Sequence, residues 1–142
     1  NSSAASDVYK RQVVFWGDHL PGIYSDAIKD QNDTAALHET EFLMVDSDGT
    51  FSTDTVPVTS PFYFAPNVLN ESQQPINGFY ALLLALQEKL PAFEHGQYYQ
   101  GEQWRSELSL DAKSRQLYED YQLIQYDILQ GKQYSLQTDL FG

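Results

Sequence analysis

The chain has 142 residues, the length of one small domain, and 42% of them are apolar. Its formal charge of −12 excludes the basic patch that would hold nucleic acid or an anionic membrane face. With no cysteine it has no disulfide and no thiol chemistry, and its longest aliphatic run, residues 81–86, is far short of the ~20 residues that span a bilayer.

Residues 2–12, SSAASDVYKRQ, resemble a translated sequencing-library adapter, the last six matching a transposon end used in such libraries. On that resemblance residues 1–12 are not native and stand outside the fold reading. Val13 is then an arbitrary cut just before an internal strand, in a gene shortened at its 5′ side.

Val13-Val14-Phe15-Trp16 is a short apolar run of β-branched and aromatic residues. It predicts a strand buried on both faces, as in an open parallel sheet. Gly17 is read as the tight turn that ends it. In such sheets the ligand crevice lies beyond the carboxyl ends of the strands, so Asp18 and His19 stand where an α/β enzyme places a metal. Neighbours on a straight strand point to opposite faces, so the pair grips one ion only if the chain turns there. Gly17 and Pro21 bracket that turn.

Ser25-Asp26 predicts a cap for a short helix over 27–30, followed by a loop through 32–34. Glu41 to Val45 predicts a second strand, ended by turn chemistry at Asp46-Ser47-Asp48-Gly49. Residues 51–60 read as a connection with an edge strand near 56–58. Ser60-Pro61 marks a helix start, although Pro66 argues for a start nearer Ala65-Pro66 and a run to Asn70. Asn77 caps a firmer helix over 78–90, with Phe79, Leu82, Leu83, Leu86 and Leu90 at three-and-four spacing, stopped by Pro91. Residues 92–109 read as irregular. The strongest helix runs over 110–130 with Ser109 as cap and Gly131 as stop. Leu117, Tyr121, Ile124 and Ile128 form its stripe, widened by Tyr118 and Leu129. An extended tail follows.

Among the polar candidates, a carboxylate beside an imidazole gives a mixed oxygen and nitrogen site suited to manganese or zinc. A bare Asp-His pair is more often a turn aspartate with a hydrogen-bonded histidine. Two ligands are also only part of a site, since catalytic metals take three or more protein donors. His38 reads as a hydrogen-bonded strand-start histidine, Glu39 and Glu41 as solvated, and His95 as surface. Counted from Asp46, an EF-hand would need Gly at 51 and Glu at 57, where Phe51 and Pro57 stand, so that stretch is a turn. Tyr118 and Tyr121 read as packing; Tyr98-Tyr99 near Trp104 read as a substrate-side or partner surface.

Gly17-Asp18-His19-Leu20-Pro21 after an apolar strand resembles the lipoteichoic acid synthase family. These are membrane-anchored phosphoglycerol transferases of Gram-positive bacteria, in the sulfatase-like branch of the alkaline phosphatase superfamily. The resemblance continues at 37–45 (LHETEFLMV), at 121–127 (YQLIQYD) and at 131–134 (GKQY). It spans nearly everything from Val13 onward and falls on the C-terminal part of such an enzyme. It implies an α/β fold, the C-terminal part of an alkaline-phosphatase-like sandwich with two or three strands of the central sheet and the longest helix last. It implies that Asp18 and His19 bind the catalytic metal, Mn2+ with Mg2+ or Zn2+ as alternatives. The nucleophilic threonine, which would carry a covalent phosphoglycerol intermediate, is expected upstream of this chain, as is the remaining acidic ligand. The implied reaction transfers glycerol phosphate from phosphatidylglycerol to an anionic polymer of the cell envelope, at the extracellular face of the cell membrane.

Two alternatives stay open at this point. One is hydrolysis of a phosphate or sulfate ester on the same scaffold. The other is a non-catalytic acidic interaction module, against which the strand-to-Asp-His junction counts. By itself the 142-residue chain is expected to be inactive, and its apolar strand edges are expected to favour aggregation.

Overall fold

The structure, a computed structural model, describes residues 11–18, 25–32, 34–53, 55–56 and 58–142. It is mixed α and β with two small antiparallel sheets, and its longest helix is the last. The chain divides into two compact units, residues 1–52 and 53–142.

In the first unit, β1 (Gln12–Trp16) pairs with β2 (Phe42–Asp46). The pairing is antiparallel, with Val13 opposite Val45, Phe15 opposite Leu43 and Trp16 opposite Phe42. Between the strands lie α1 (Asp26–Asp30) and α2 (Thr34–His38). Ser25 precedes α1 in extended backbone, as a cap position requires, but its side chain makes no cap hydrogen bond. The expectation of a parallel sheet with strands buried on both faces does not hold within this chain: β1 and β2 pair antiparallel, so the rule that places a crevice beyond the ends of parallel strands does not apply to this hairpin. Side chains alternate between faces along a strand, and Val13, Phe15, Leu43 and Val45 share one face at 39–60% exposure. A continuous apolar run reads the same whether its second face is covered or open, because only tertiary neighbours distinguish the two.

The second unit holds all the buried residues among those described. A 3-10 turn over Pro61–Tyr63 leads into α3 (Phe64–Glu71). This reconciles the two helix starts expected from sequence. Pro66 falls in the first turn of α3, where a missing N–H breaks no bond. Ser60 does not cap with its side chain. Its hydroxyl instead accepts from Phe93 N at 3.0 Å and reaches Phe93 O at 3.4 Å, and its amide donates to Pro91 O. The segment before α3 is thereby stitched to the sheet.

α4 (Gly78–Gln87) starts as expected, with Asn77 Oδ1 accepting from Tyr80 N at 2.9 Å. Residues 92–109, expected to be irregular, instead form a three-stranded meander over most of their length. Its strands are β3 (Ala92–Glu94), β4 (Gln97–Gln100) and β5 (Gln103–Arg105). Its two loops are His95-Gly96 and Gly101-Glu102, and all four residues have positive φ. Such loops match the right-handed twist of the strands they join. α5 (Ala112–Leu129) follows, capped by Asp111, two residues later than the expected Ser109. Asp111 accepts from the amide and the hydroxyl of Ser114 at 3.0 and 2.9 Å.

The core joins Tyr63, Leu83, Leu86, Leu90 and Tyr121. Phe93 sits among the rings of Phe62, Tyr118 and Tyr121, with centroids 5.1–5.6 Å apart. Burial pushes the Tyr63 hydroxyl pKa upward, so the group stays neutral and donates to Leu90 O at 2.9 Å. Of the expected α5 stripe, Leu117, Tyr118 and Tyr121 reach this core, while Leu129 is 76% exposed.

Candidate functional site

The polar end of β1 is the site that the sequence singles out. The last rung of the hairpin pairs Trp16 with Phe42. Gly17 follows, and its carbonyl accepts from Thr40 Oγ1 at 3.2 Å. A Cβ at Gly17 would lie 2.8 Å from Thr40 Cβ, closer than side chains approach. Gly17 is therefore explained by room for Thr40, since its φ is not positive. Thr40 is the residue that sequence reasoning missed. Its partner is 23 positions away, so only the hairpin register reveals it.

Asp18 comes next and is exposed, directly beyond the strand. His19 lies outside the described residues, as does the turn through Pro21. A carboxylate is a donor suited to manganese or magnesium. Among the described residues, no three His, Asp or Glu side chains come together as a metal cluster. The described donors thus fit such an ion in kind and fall short of a complete set.

Other sequence candidates disperse. His38 ends α2, exposed, rather than opening a strand. Glu39 and Glu41 are exposed as expected. Glu41 lines an open hollow of about 420 Å³ with Phe15, Trp16, Phe42 and Leu43, beside the last rung of the hairpin. The Asp46 turn is a turn: its carboxylate accepts the Thr50 hydroxyl and, at 2.7 Å, the Thr50 amide. Those bonds, the hydroxyl first, hold its pKa below the usual carboxylate value.

His95 is exposed in the first meander loop, with Nδ1 3.3 Å from Glu94 Oε1. The proposed Tyr98-Tyr99-Trp104 surface is corrected to packing. Tyr99 is buried and meets Trp104 edge-on at 5.4 Å, and Tyr98 meets Tyr118 at 6.3 Å. In strands of three or four residues beside tight loops, these rings have neighbours on the sheet that a linear reading does not supply.

No helix among the described residues is long and apolar enough to cross a membrane. Compared with protein-family models, curated proteins and solved structures, the chain matches none.

Proposed function

We propose that this chain is the C-terminal part of a metal-dependent phosphoglycerol transferase similar to the lipoteichoic acid synthases. The observation that carries the reading is the placement of Asp18. It is exposed at the carboxyl end of an apolar strand, within Gly17-Asp18-His19-Leu20-Pro21, one residue beyond the Gly17–Thr40 contact. In this reading Asp18 and His19 hold Mn2+ together with donors from elsewhere in a longer protein. When bound, the ion supplies positive charge that stabilises the transferring phosphoryl group. Asp18 contributes a hard oxygen donor, and Gly17 and Thr40 fix the direction in which the chain presents it.

The same reading makes the β1–β2 hairpin part of a larger alkaline-phosphatase-like sandwich. The apolar face of Val13, Phe15, Leu43 and Val45 supports this, since a sheet face of that kind suits a covering layer.

The test uses the enzyme with its upstream coding sequence restored. Asp18→Ala and His19→Ala are each expected to lose bound manganese and transfer of glycerol phosphate from phosphatidylglycerol together, by about 100-fold or more. Full manganese occupancy in both variants overturns the assignment. Release of free glycerol phosphate to water, without polymer growth, replaces the transferase with a hydrolase. The 142-residue chain alone is expected to turn over no phosphodiester.

A further inference from the structure

The residues after α5 are not the expected extended tail: they include a 3-10 turn and fold back along a series of hydrogen bonds. At Gly131 a Cβ would lie 2.6 Å from Asp127 Cα, so only glycine lets the chain turn so tightly against the end of the helix. Gln133 adopts the left-handed conformation, φ 60°. The Asp127 carboxylate then accepts the Ser135 hydroxyl and, at 2.7 Å, the Ser135 amide. The Ser135 carbonyl accepts the Thr138 hydroxyl at 2.7 Å and its amide at 3.3 Å. The same Thr138 hydroxyl oxygen accepts the Leu140 amide at 3.3 Å.

The series ends on another helix. The Leu140 carbonyl accepts the Phe79 amide at 2.9 Å. Phe79 lies in the first turn of α4, where the helix itself offers an amide no acceptor. Around that bond, Asn77 Nδ2 donates to Phe141 O at 3.3 Å, and the Phe79 and Phe141 rings lie 5.2 Å apart. A Cβ on Gly78 would stand 3.2 Å from Leu140, so the segment is seated closely on the start of α4.

We propose that residues 133–141 are a strap that couples the last turn of α5 to the first turn of α4 and releases as one piece, with Thr138 as its pin. Thr138 is a positioning residue: its hydroxyl is the one group that bonds to both the Ser135 half and the Leu140 half. Loss of the Asp127 latch therefore frees Phe79, although Asp127 and Phe79 are on different helices. The coupling is physical because each link is a hydrogen bond between neighbours in space, and the segment between the latches is itself wound into a 3-10 turn, Tyr134–Gln137.

The test is amide hydrogen exchange in the full chain, read residue by residue by NMR. Thr138 is exposed, so Thr138→Val removes its hydroxyl bonds without opening a cavity. Exchange at the Phe79 amide is expected to quicken about tenfold in Thr138→Val, to stay close to the parent rate in Thr138→Ser, and to quicken again in Asp127→Ala. The amides of Leu86 and Leu90 in the core are expected to keep their rates. Unchanged Phe79 exchange in Thr138→Val or in Asp127→Ala overturns the coupling. Equal acceleration at Leu86 and Phe79 also overturns it, since that marks loss of the whole unit rather than release of a strap.

Discussion

Two aspartates in the second unit act as local fasteners, and both have their carboxyl pKa held below the ordinary 3.8. For Asp111 the cause is first the Ser114 amide and then the Ser114 hydroxyl. For Asp127 it is first the Ser135 hydroxyl and then the Ser135 amide. A carboxyl group whose pKa is lower in the folded state stabilises the fold above its unfolded pKa. That contribution is lost as pH falls through the folded pKa. The melting temperature is therefore expected to fall as pH drops below about 4, the ordinary carboxyl value, and to fall less steeply in the Asp111→Asn, Asp127→Asn double variant. Parallel curves for the two proteins in a pH series of thermal melts would show that these fasteners do not act as described. Asp18 belongs to a different case. It was readable as a candidate because its neighbours in sequence mark a strand end, whereas Thr40, which braces that end, is invisible until the register is known.

The meander carries strain that a few substitutions relieve. His95 and Glu102 hold φ of 46° and 62°, where an L side chain with a Cβ is disfavoured. Asn tolerates this region better, and Asn-Gly is the favoured pair for a two-residue hairpin loop. His95→Asn is expected to raise stability by about 0.5–1 kcal/mol in denaturant unfolding, and a midpoint that stays or falls would count against the loop assignment. The same loops explain why the meander was not legible. His-Gly and Gly-Glu are weak turn signals, and strands of three or four residues are too short to show a period of two. α4 and α5 were legible for the opposite reason. Their apolar stripes persist over nearly three turns or more; Gly131 follows the end of α5 closely, whereas α4 ends at Gln87, three residues short of the expected Leu90 before Pro91. Their caps show how far such reading goes: Asn77 was identified correctly, but the cap of α5 moved from Ser109 to Asp111, because both residues can cap and only the observed bonds to Ser114 decide between them.

At the scale of the whole chain, the two units differ in how much they bury. Residues 53–142 hold a core with Tyr63, Leu86 and Leu90 at 0% exposure, whereas no described residue of the first unit is buried. A two-stranded hairpin with an open apolar face is marginal in water and invites edge pairing. Phe15→Lys combined with Leu43→Lys is therefore expected to raise the soluble fraction of the full chain several-fold, as measured by sedimentation, without moving the thermal transition of residues 53–142. An unchanged soluble fraction would place the aggregation liability elsewhere. The acidic net charge is legible at this scale from composition alone. The openness of the hairpin is not, because an apolar strand looks alike in sequence whether or not a second layer covers it.

The chain's two tryptophans fall one to each unit. Trp16 is 52% exposed on β1, while Trp104 is partly covered on β5 and meets Tyr99 edge-on. Fluorescence from Trp16 should resemble that of the indole in water, while Trp104 should emit further to the blue and receive excitation energy from Tyr99. Melting of residues 53–142 can thus be followed by the red shift of Trp104 without a label, against a Trp16 emission that changes little.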